Sequence, residues 1–181
     1  MKDLTRKEME DLLLEHEIAE LEYDLDRTMA TLVSNPHFEL PTLGLAIDGW
    51  EGVKAMYSHF LMKGGRERNM QAVARIIAEA RNTLMREAWV SYDNLEGKRV
   101  TGVYMVVVEF DPELKKIVGE RMYADTIYTD LLKELFGENI GSLPGSSPIS
   151  DSTPIIDVHD AFEAAAARGI AINNPHVKPA L

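Results

Sequence analysis

The residues best suited to chemistry lie in the run Lys116-Ile-Val-Gly-Glu-Arg-Met-Tyr-Ala-Asp125. A strand there, expected over Ile117 to Ile127, turns Arg121, Tyr123 and Asp125 to one face and Glu120, Met122 and Ala124 to the other. If the first face lines an apolar cavity, desolvation disfavours ionised Asp125 and raises its pKa toward the range of a general acid or base. Arg121 opposes that shift, and its guanidinium suits orienting the carboxylate or holding an oxyanion, while Tyr123 supplies a hydroxyl donor. The same pattern also suits an Arg-Asp pair that satisfies itself at a strand end.

Around this trio stand candidates for binding. Tyr57 falls on the apolar stripe of a helix, which suits a core ring whose hydroxyl reaches a cavity. Trp50 and Trp89 offer an aromatic wall or plain packing, and Glu22 flanks the apolar stripe of the first helix as a boundary residue. Arg75 and Arg86 sit in strand-like runs where Glu109 or Glu87 is a natural cross-strand partner. The five histidines are His16, His37, His59, His159 and His176, and no two have the i, i+4 spacing of a helical zinc site, so no metal is expected. His37 and His59 are proton carriers only if the fold brings them to a cavity mouth. His16 falls opposite the leucines of the first helix, which predicts a solvent or interface position.

The elements that must position these groups are legible in outline. Thr5 followed by Glu8 forms a capping-box pattern, and Leu14, Ile18, Leu21, Leu25 and Leu32 recur at helical spacing, predicting one long helix over Thr5 to Val33 that ends at Asn35-Pro36. Phe38 to Leu40 and Leu45 to Ile47 read as short strands. Asp48 is placed to cap a second helix that carries Val53, Met56, Tyr57, Phe60 and Leu61 and ends at Lys63-Gly64-Gly65. The period then changes to two, with strands expected over Met70 to Ala80, Thr83 to Tyr92, Val100 to Phe110 and Ile117 to Ile127, joined by polar turns. Val100 to Phe110 is apolar on both faces, as in a strand covered on both sides. A short helix over Asp130 to Phe136 closes at Gly137. The domain is expected to span residues 1–137, a Gly/Ser/Pro-rich linker 138–155, and a helix-bearing tail 156–181 that acts as a lid or dimer arm.

Composition narrows the partners. A chain of 181 residues suits one domain with an extension, and 45% hydrophobic with 27% charged residues is ordinary for a globular protein. Its net charge of -11 repels nucleic-acid phosphates and anionic lipid, leaving small uncharged molecules as the expected ligands. Cysteine is absent, which removes thiolate chemistry and disulfides. No apolar run approaches the ~20 residues of a membrane span, the charged start does not read as a signal peptide, and a cytoplasmic location is expected. Gly64-Gly65 lacks the phosphate-loop lysine, and no dinucleotide-binding fingerprint is present, so no cofactor is expected. Ser146 and Ser147 lack a nucleophile elbow.

The order of long helix, short strands, second helix and four antiparallel strands resembles the nuclear transport factor 2-like superfamily. Asp48-Gly-Trp-Glu-Gly-Val-Lys-Ala-Met-Tyr57 looks like its glycine-then-helix segment, and the E-R-x-Y-x-D strand leading into Leu135-Phe136-Gly137 resembles the SnoaL-like ending. The resemblance covers about Leu12 to Gly137. It implies an α+β fold in which a strongly bent, mostly antiparallel sheet wraps a long N-terminal helix into a cone open to a small apolar molecule. Many SnoaL-like sequences carry a histidine where this chain has Asn69-Met70-Gln71, so a mechanism needing that histidine is not implied.

The expected function is that of a cofactor-independent acid–base enzyme of lyase, isomerase or hydrolase type acting on a small apolar or aromatic molecule. The alternative is a noncatalytic small-molecule-binding or oligomer-assembly module. Either is expected to form a homodimer or higher homo-oligomer, without nucleic-acid or membrane partners. Fold alone does not decide between them.

Overall fold

Thr5 starts the first helix, α1 (Arg6–Leu21), through a complete capping box: its side chain accepts from the Glu8 backbone N–H, and the Glu8 carboxylate accepts from the Thr5 N–H. The computed structural model describes residues 2–62, 68–137, 140–149 and 161–176. The long helix expected from Thr5 to Val33 is two helices. Tyr23 adopts a left-handed backbone (φ 57°), and the Asp24 N–H returns to the Ala19 carbonyl to end α1. Asp24 then caps α2 (Leu25–Ala30) by accepting from the Arg27 N–H. An Asp three residues before the next helical N–H was the local signal for this break, and the unbroken leucine spacing concealed it.

The buried side of α1 carries Met9, Leu13, His16 and Ala19, whereas Leu14 and Leu21 are exposed. Leu12, Leu13 and Leu14 are consecutive, and at about 100° per residue three neighbours cover more than half of a helix circumference, so they do not single out a face. Contact with the sheet makes the choice.

The sheet has seven strands in the order β3-β4-β5-β6-β1-β2-β7 and is curved and open. They are β1 (Leu32–Leu40), β2 (Leu45–Asp48), β3 (Gln71–Ala80), β4 (Thr83–Asp93), β5 (Arg99–Asp111), β6 (Lys116–Ala124) and β7 (Ser146–Pro148). All neighbours are antiparallel except β1 and β6, which run parallel. Asn35-Pro36 does not precede β1 but lies inside it, where the register with β6 slips between Leu32 and His37. Proline has no N–H for the ladder, so an irregularity is where a strand accommodates it. Gly119 stands at this junction; a Cβ there would lie 1.7 Å from the His37 carbonyl oxygen.

Two further helices, α3 (Gly49–Met62) and α4 (Thr126–Phe136), pack with α1 on the concave side. Phe38, Ile47, Val53, Met56, Leu131 and Phe136 belong to the core between sheet and helices. Of the expected linker 138–155, residues 140–149 pack on the domain: Ile140 is buried and β7 pairs with β2. The tail forms α5 (Ala161–Ala167), in which Phe162 and Ala165 are half-buried. The expected helix start at 156–160, with Val158 and His159, and the expected end of α3 at Lys63-Gly64-Gly65 lie outside the described residues. Among the described residues no helix is long and apolar enough to cross a membrane.

Candidate functional site

The concave face of the sheet and helices α1, α3 and α4 enclose a cavity of about 530 Å³. Most of its wall is apolar, with Phe38, Met56, Phe60, Val106, Met122 and Leu132 among the lining groups. Charged and hydroxyl groups reach it from several elements, among them His16, Glu17 and Glu20 from α1, Tyr57 from α3, Arg86 from β4, Tyr104 from β5, Glu120 from β6 and Tyr128 from α4. A volume of this size with a few convergent polar groups is typical of a small-molecule site.

His16 has a defined proton arrangement. The Thr31 hydroxyl donates its one proton to the Thr28 carbonyl at 2.6 Å, so toward the His16 Nδ1, also at 2.6 Å, it can only accept. Nδ1 therefore carries hydrogen, and Nε2 is left facing the Tyr57 hydroxyl at 2.9 Å, Glu20 at 3.3 Å and Glu120 at 3.7 Å. Burial opposes a charge on this ring, but Glu20, Glu120 and Glu17 outweigh it and push the pKa up to about 9. The shift favours the imidazolium at neutral pH, a form in which both ring nitrogens donate.

Glu120 lies opposite Val108 on β5, sharing its inward face. Burial raises its carboxyl pKa to about 7; His16 and Arg86 pull against that rise while Glu20 and Glu17 add to it. The charge of each favours the charged form of the other. Tyr57 stays a phenol, its pKa pushed well up by burial and by the charges of Glu120 and Glu20. Arg86 pairs with Glu17 and donates to the Tyr104 hydroxyl at 3.2 Å. Among the described residues no group of three His, Cys, Asp or Glu side chains is placed to hold a metal ion.

No family model and no curated protein matches the sequence. Solved structures do match in shape. An NTF2-like protein of unknown function from Burkholderia pseudomallei K96243 superposes with a TM-score of 0.54 at 16% identity, over 69% of this chain and 96% of that one. A protein described as a SnoaL-like polyketide cyclase from Jannaschia sp. CCS1 gives a TM-score of 0.56 at 12% identity, over 73% of this chain and 96% of that one. The chain has the nuclear transport factor 2-like fold. A protein of unknown function with a cystatin-like fold from Methylobium petroleophilum PM1 is similar over 99% of this chain and 100% of its own, with a TM-score of 0.54 at 17% identity.

Within this NTF2-like fold, β6 has the expected alternation but presents the opposite face. Arg121 and Tyr123 turn outward: Arg121 lies opposite Val107 and pairs with Glu109, and Tyr123 is 43% exposed. Asp125 is exposed and past the strand end, where it accepts from the Tyr128 N–H at 2.8 Å as the N-cap of α4. Alternation separates two faces without saying which is inner; buried Tyr104, Val106 and Val108 on β5 decide it, since their partners Ala124, Met122 and Glu120 share that face.

Of the expected binding residues, the structure places Tyr57 on the cavity. Trp50 is half-buried against the core, and Trp89 stands on the outer face with the Arg75 guanidinium 5.1 Å from its ring centre. His59 is half-buried on α3 and is not part of the cavity wall. His37 lies on the outer side of β1, bonded through Nδ1 to Asp48 at 2.6 Å and through Nε2 to buried Glu39 at 2.8 Å. Burial works against its charge, but the two carboxylates prevail and its pKa is raised. Asp48, expected to cap α3, is thus also the partner of His37 through Oδ1. Glu22 is exposed and pairs with Arg27, and Arg75 pairs with Glu87 at 3.0 Å.

His16, Glu20, Glu120 and Arg86 are the residues sequence reasoning passed over. A signal existed for the first two: His16 and Glu20 are one helical turn apart, and His16 follows Met9 and Leu13 at spacings of seven and three. None existed for their meeting with Glu120, which depends on a strand a hundred residues later.

Proposed function

We propose that the chain is an acid–base enzyme of lyase, isomerase or hydrolase type whose own side chains move a proton on a small, mostly apolar molecule. The observation that carries the reading is the His16-Glu120 pair, 3.7 Å apart in a cavity whose wall is mostly apolar. Glu120, with its pKa raised to about 7, is suited to take and return a proton near neutral pH. On a substrate with a carbonyl, the carboxylate removes a proton from the adjacent carbon, the bonding electrons move toward oxygen, and the protonated Glu120 returns the proton at the same or a neighbouring carbon. His16 and Arg86 supply positive charge as the oxygen becomes negative. The SnoaL-like polyketide cyclase of similar fold lends this reading support at the level of architecture alone.

The test is exchange of the α-protons of β-tetralone in deuterated water, followed by proton NMR. Wild type is expected to accelerate exchange, and Glu120→Gln to lose the acceleration while keeping its fold by circular dichroism. Full exchange in folded Glu120→Gln would overturn the assignment. Saturable binding of β-tetralone to wild type without exchange favours the noncatalytic binding reading.

A further inference from the structure

The first turn of α4 lies directly on β5, and a glycine allows that approach. A Cβ on Gly102 would meet the Tyr128 N at 2.8 Å, the Asp125 Oδ1 at 2.9 Å and the Tyr128 Cβ at 3.1 Å. Asp125 caps the helix by accepting from the Tyr128 N–H, which fixes Tyr128 at its backbone. From there its ring stacks on Tyr104, with centroids 5.0 Å apart and planes 23° from parallel. Tyr128 is 3% exposed and lines the cavity. His16, Tyr57, Arg86 and Tyr104 on the same wall each have a side-chain hydrogen-bond partner, but among the described residues the Tyr128 hydroxyl has none. Nor is that hydroxyl shut in as the Arg86 Nε is: it keeps contact with the open space of the cavity. Burial first, then the neighbouring Tyr104, Glu20 and Glu120, hold its pKa well above that of an ordinary phenol against the pull of Arg86, so the proton stays in place. The Tyr104 oxygen accepts from Arg86 at 3.2 Å, and its own proton goes to no described residue. Two phenol protons are thus uncommitted on one stretch of a buried wall, where folded proteins nearly always provide an acceptor.

We infer that Tyr128, with Tyr104 beside it, docks a carbonyl oxygen at the end of the ligand remote from Glu120. The inference deepens the acid–base reading and rests on the same cavity being the working site. The kind of oxygen follows from the donors. A phenol gives its proton more readily than it lends a lone pair conjugated with its ring, so two phenols are met best by an oxygen with lone pairs and no proton of its own. Arg86, already donating to Tyr104, polarises that O–H and strengthens it as a donor. The length of the ligand follows from the register. Tyr104 pairs with Ala124 and Val108 with Glu120, and four residues of extended strand separate these rungs by about 13 Å. Val106, with Arg86 opposite it, stands midway. A body of two fused rings with an oxygen at each end, plus a hydrogen bond of about 2.8 Å at either end, spans that distance. The ligand therefore carries one oxygen beside His16 and Glu120 and a second against Tyr128.

The experiment is isothermal titration of two probes of one shape: decalin-2,6-dione, and 6-methylidenedecalin-2-one, in which an exocyclic CH2 replaces one carbonyl oxygen. Wild type is expected to bind the dione about five-fold more tightly, the margin of one hydrogen bond between uncharged groups. Tyr128→Phe removes the hydroxyl, leaves the ring on Tyr104 and breaks no side-chain hydrogen bond among the described residues. It is expected to bring the two probes level. Tyr104→Phe, which removes the second donor, is expected to narrow the margin. If Tyr128→Phe does not fold, Tyr128→Leu serves the same comparison. The inference is overturned if wild type binds neither probe, if it binds both equally, or if the full margin survives in either folded variant. These readouts need no turnover. Full proton exchange in folded Glu120→Gln, together with a margin lost in Tyr128→Phe, would end the acid–base reading and leave the Tyr128 subsite standing. Exchange lost in Glu120→Gln, with the two probes bound equally by wild type, would do the reverse.

Discussion

The His16 imidazole and the Glu120 carboxyl lie side by side in the cavity wall, 3.7 Å apart, one held by a helix at the start of the chain and the other by the last strand of the meander. Thr31 fixes the His16 ring from behind, so that Nε2 is the nitrogen presented to Glu20, Tyr57 and Glu120. Each partner perturbs the other's titration. The pair is therefore the place where changes of residue and of pH should be felt together.

Catalysis by this pair requires Glu120 ionised and His16 protonated. With pKa values of about 7 and about 9, kcat/KM should rise with pH through the first and fall through the second, giving a maximum between them. Glu120→Gln should lower turnover by about a hundred- to ten-thousand-fold. A pH–rate profile of wild type and variant checks both statements, and a flat wild-type profile between those values would count against the pair.

Stability should respond to the same groups. The His16 pKa is raised in the folded state from 6.5 to about 9, so the folded chain binds more protons than the unfolded one. The stabilisation is complete below the unfolded value and is lost as pH rises through the folded value. Glu120, also raised, has the same sign over a lower window that ends near 7. The melting temperature should thus fall between about pH 6.5 and 9 in wild type, and His16→Gln should flatten that fall. An unchanged slope in thermal melts would show that His16 is not carrying this charge.

Asp125 should matter for folding and not for turnover. Its carboxylate caps α4 by accepting from the Tyr128 N–H at 2.8 Å. Asp125→Ala is expected to cost about 1 kcal/mol of stability, as for other N-cap deletions, with proton exchange unchanged. Urea titration and the exchange assay separate the two; lost exchange at retained stability would return Asp125 to the chemistry.

Gly119→Ala tests the junction of β1 and β6. The added Cβ would lie 1.7 Å from the His37 carbonyl oxygen and 2.8 Å from its carbon, both backbone atoms that cannot step aside as a side chain does. The parallel pairing must open, and a loss of about 3 kcal/mol or more is expected, at the upper end for overpacking. Denaturation of the purified variant measures it.

Much of the architecture was legible because its causes are local. The four long strands are found within a few residues of their expected limits, since alternation and polar turns such as Arg81-Asn82, where Asn82 takes φ 50°, are short-range signals. The Thr5-Glu8 capping box formed as read. The strand β1 was legible only at its end, because Pro36 reads as a terminator and its tolerance depends on a bulge against β6. Of the site, Tyr57 was legible because it shares a helical stripe with Val53, Met56 and Phe60. His16 was not, because the leucines of α1 mark a different face from the one the sheet covers.

The sequence by itself determined the succession of the four long strands, the two alternating faces of β6 and the acidic, cysteine-free character of the chain, all of which follow from residue type and near-neighbour spacing. The tertiary structure decided which of those faces is inside. Period two is symmetric between faces, and only the pairing of Glu120 with Val108 and of Met122 with Val106 turns Glu120 inward and Arg121 outward. It also decided the electrostatics of the site, since the pKa values of His16 and Glu120 come from burial and from charges brought together across about a hundred residues of chain, distances that spacing along a sequence does not contain.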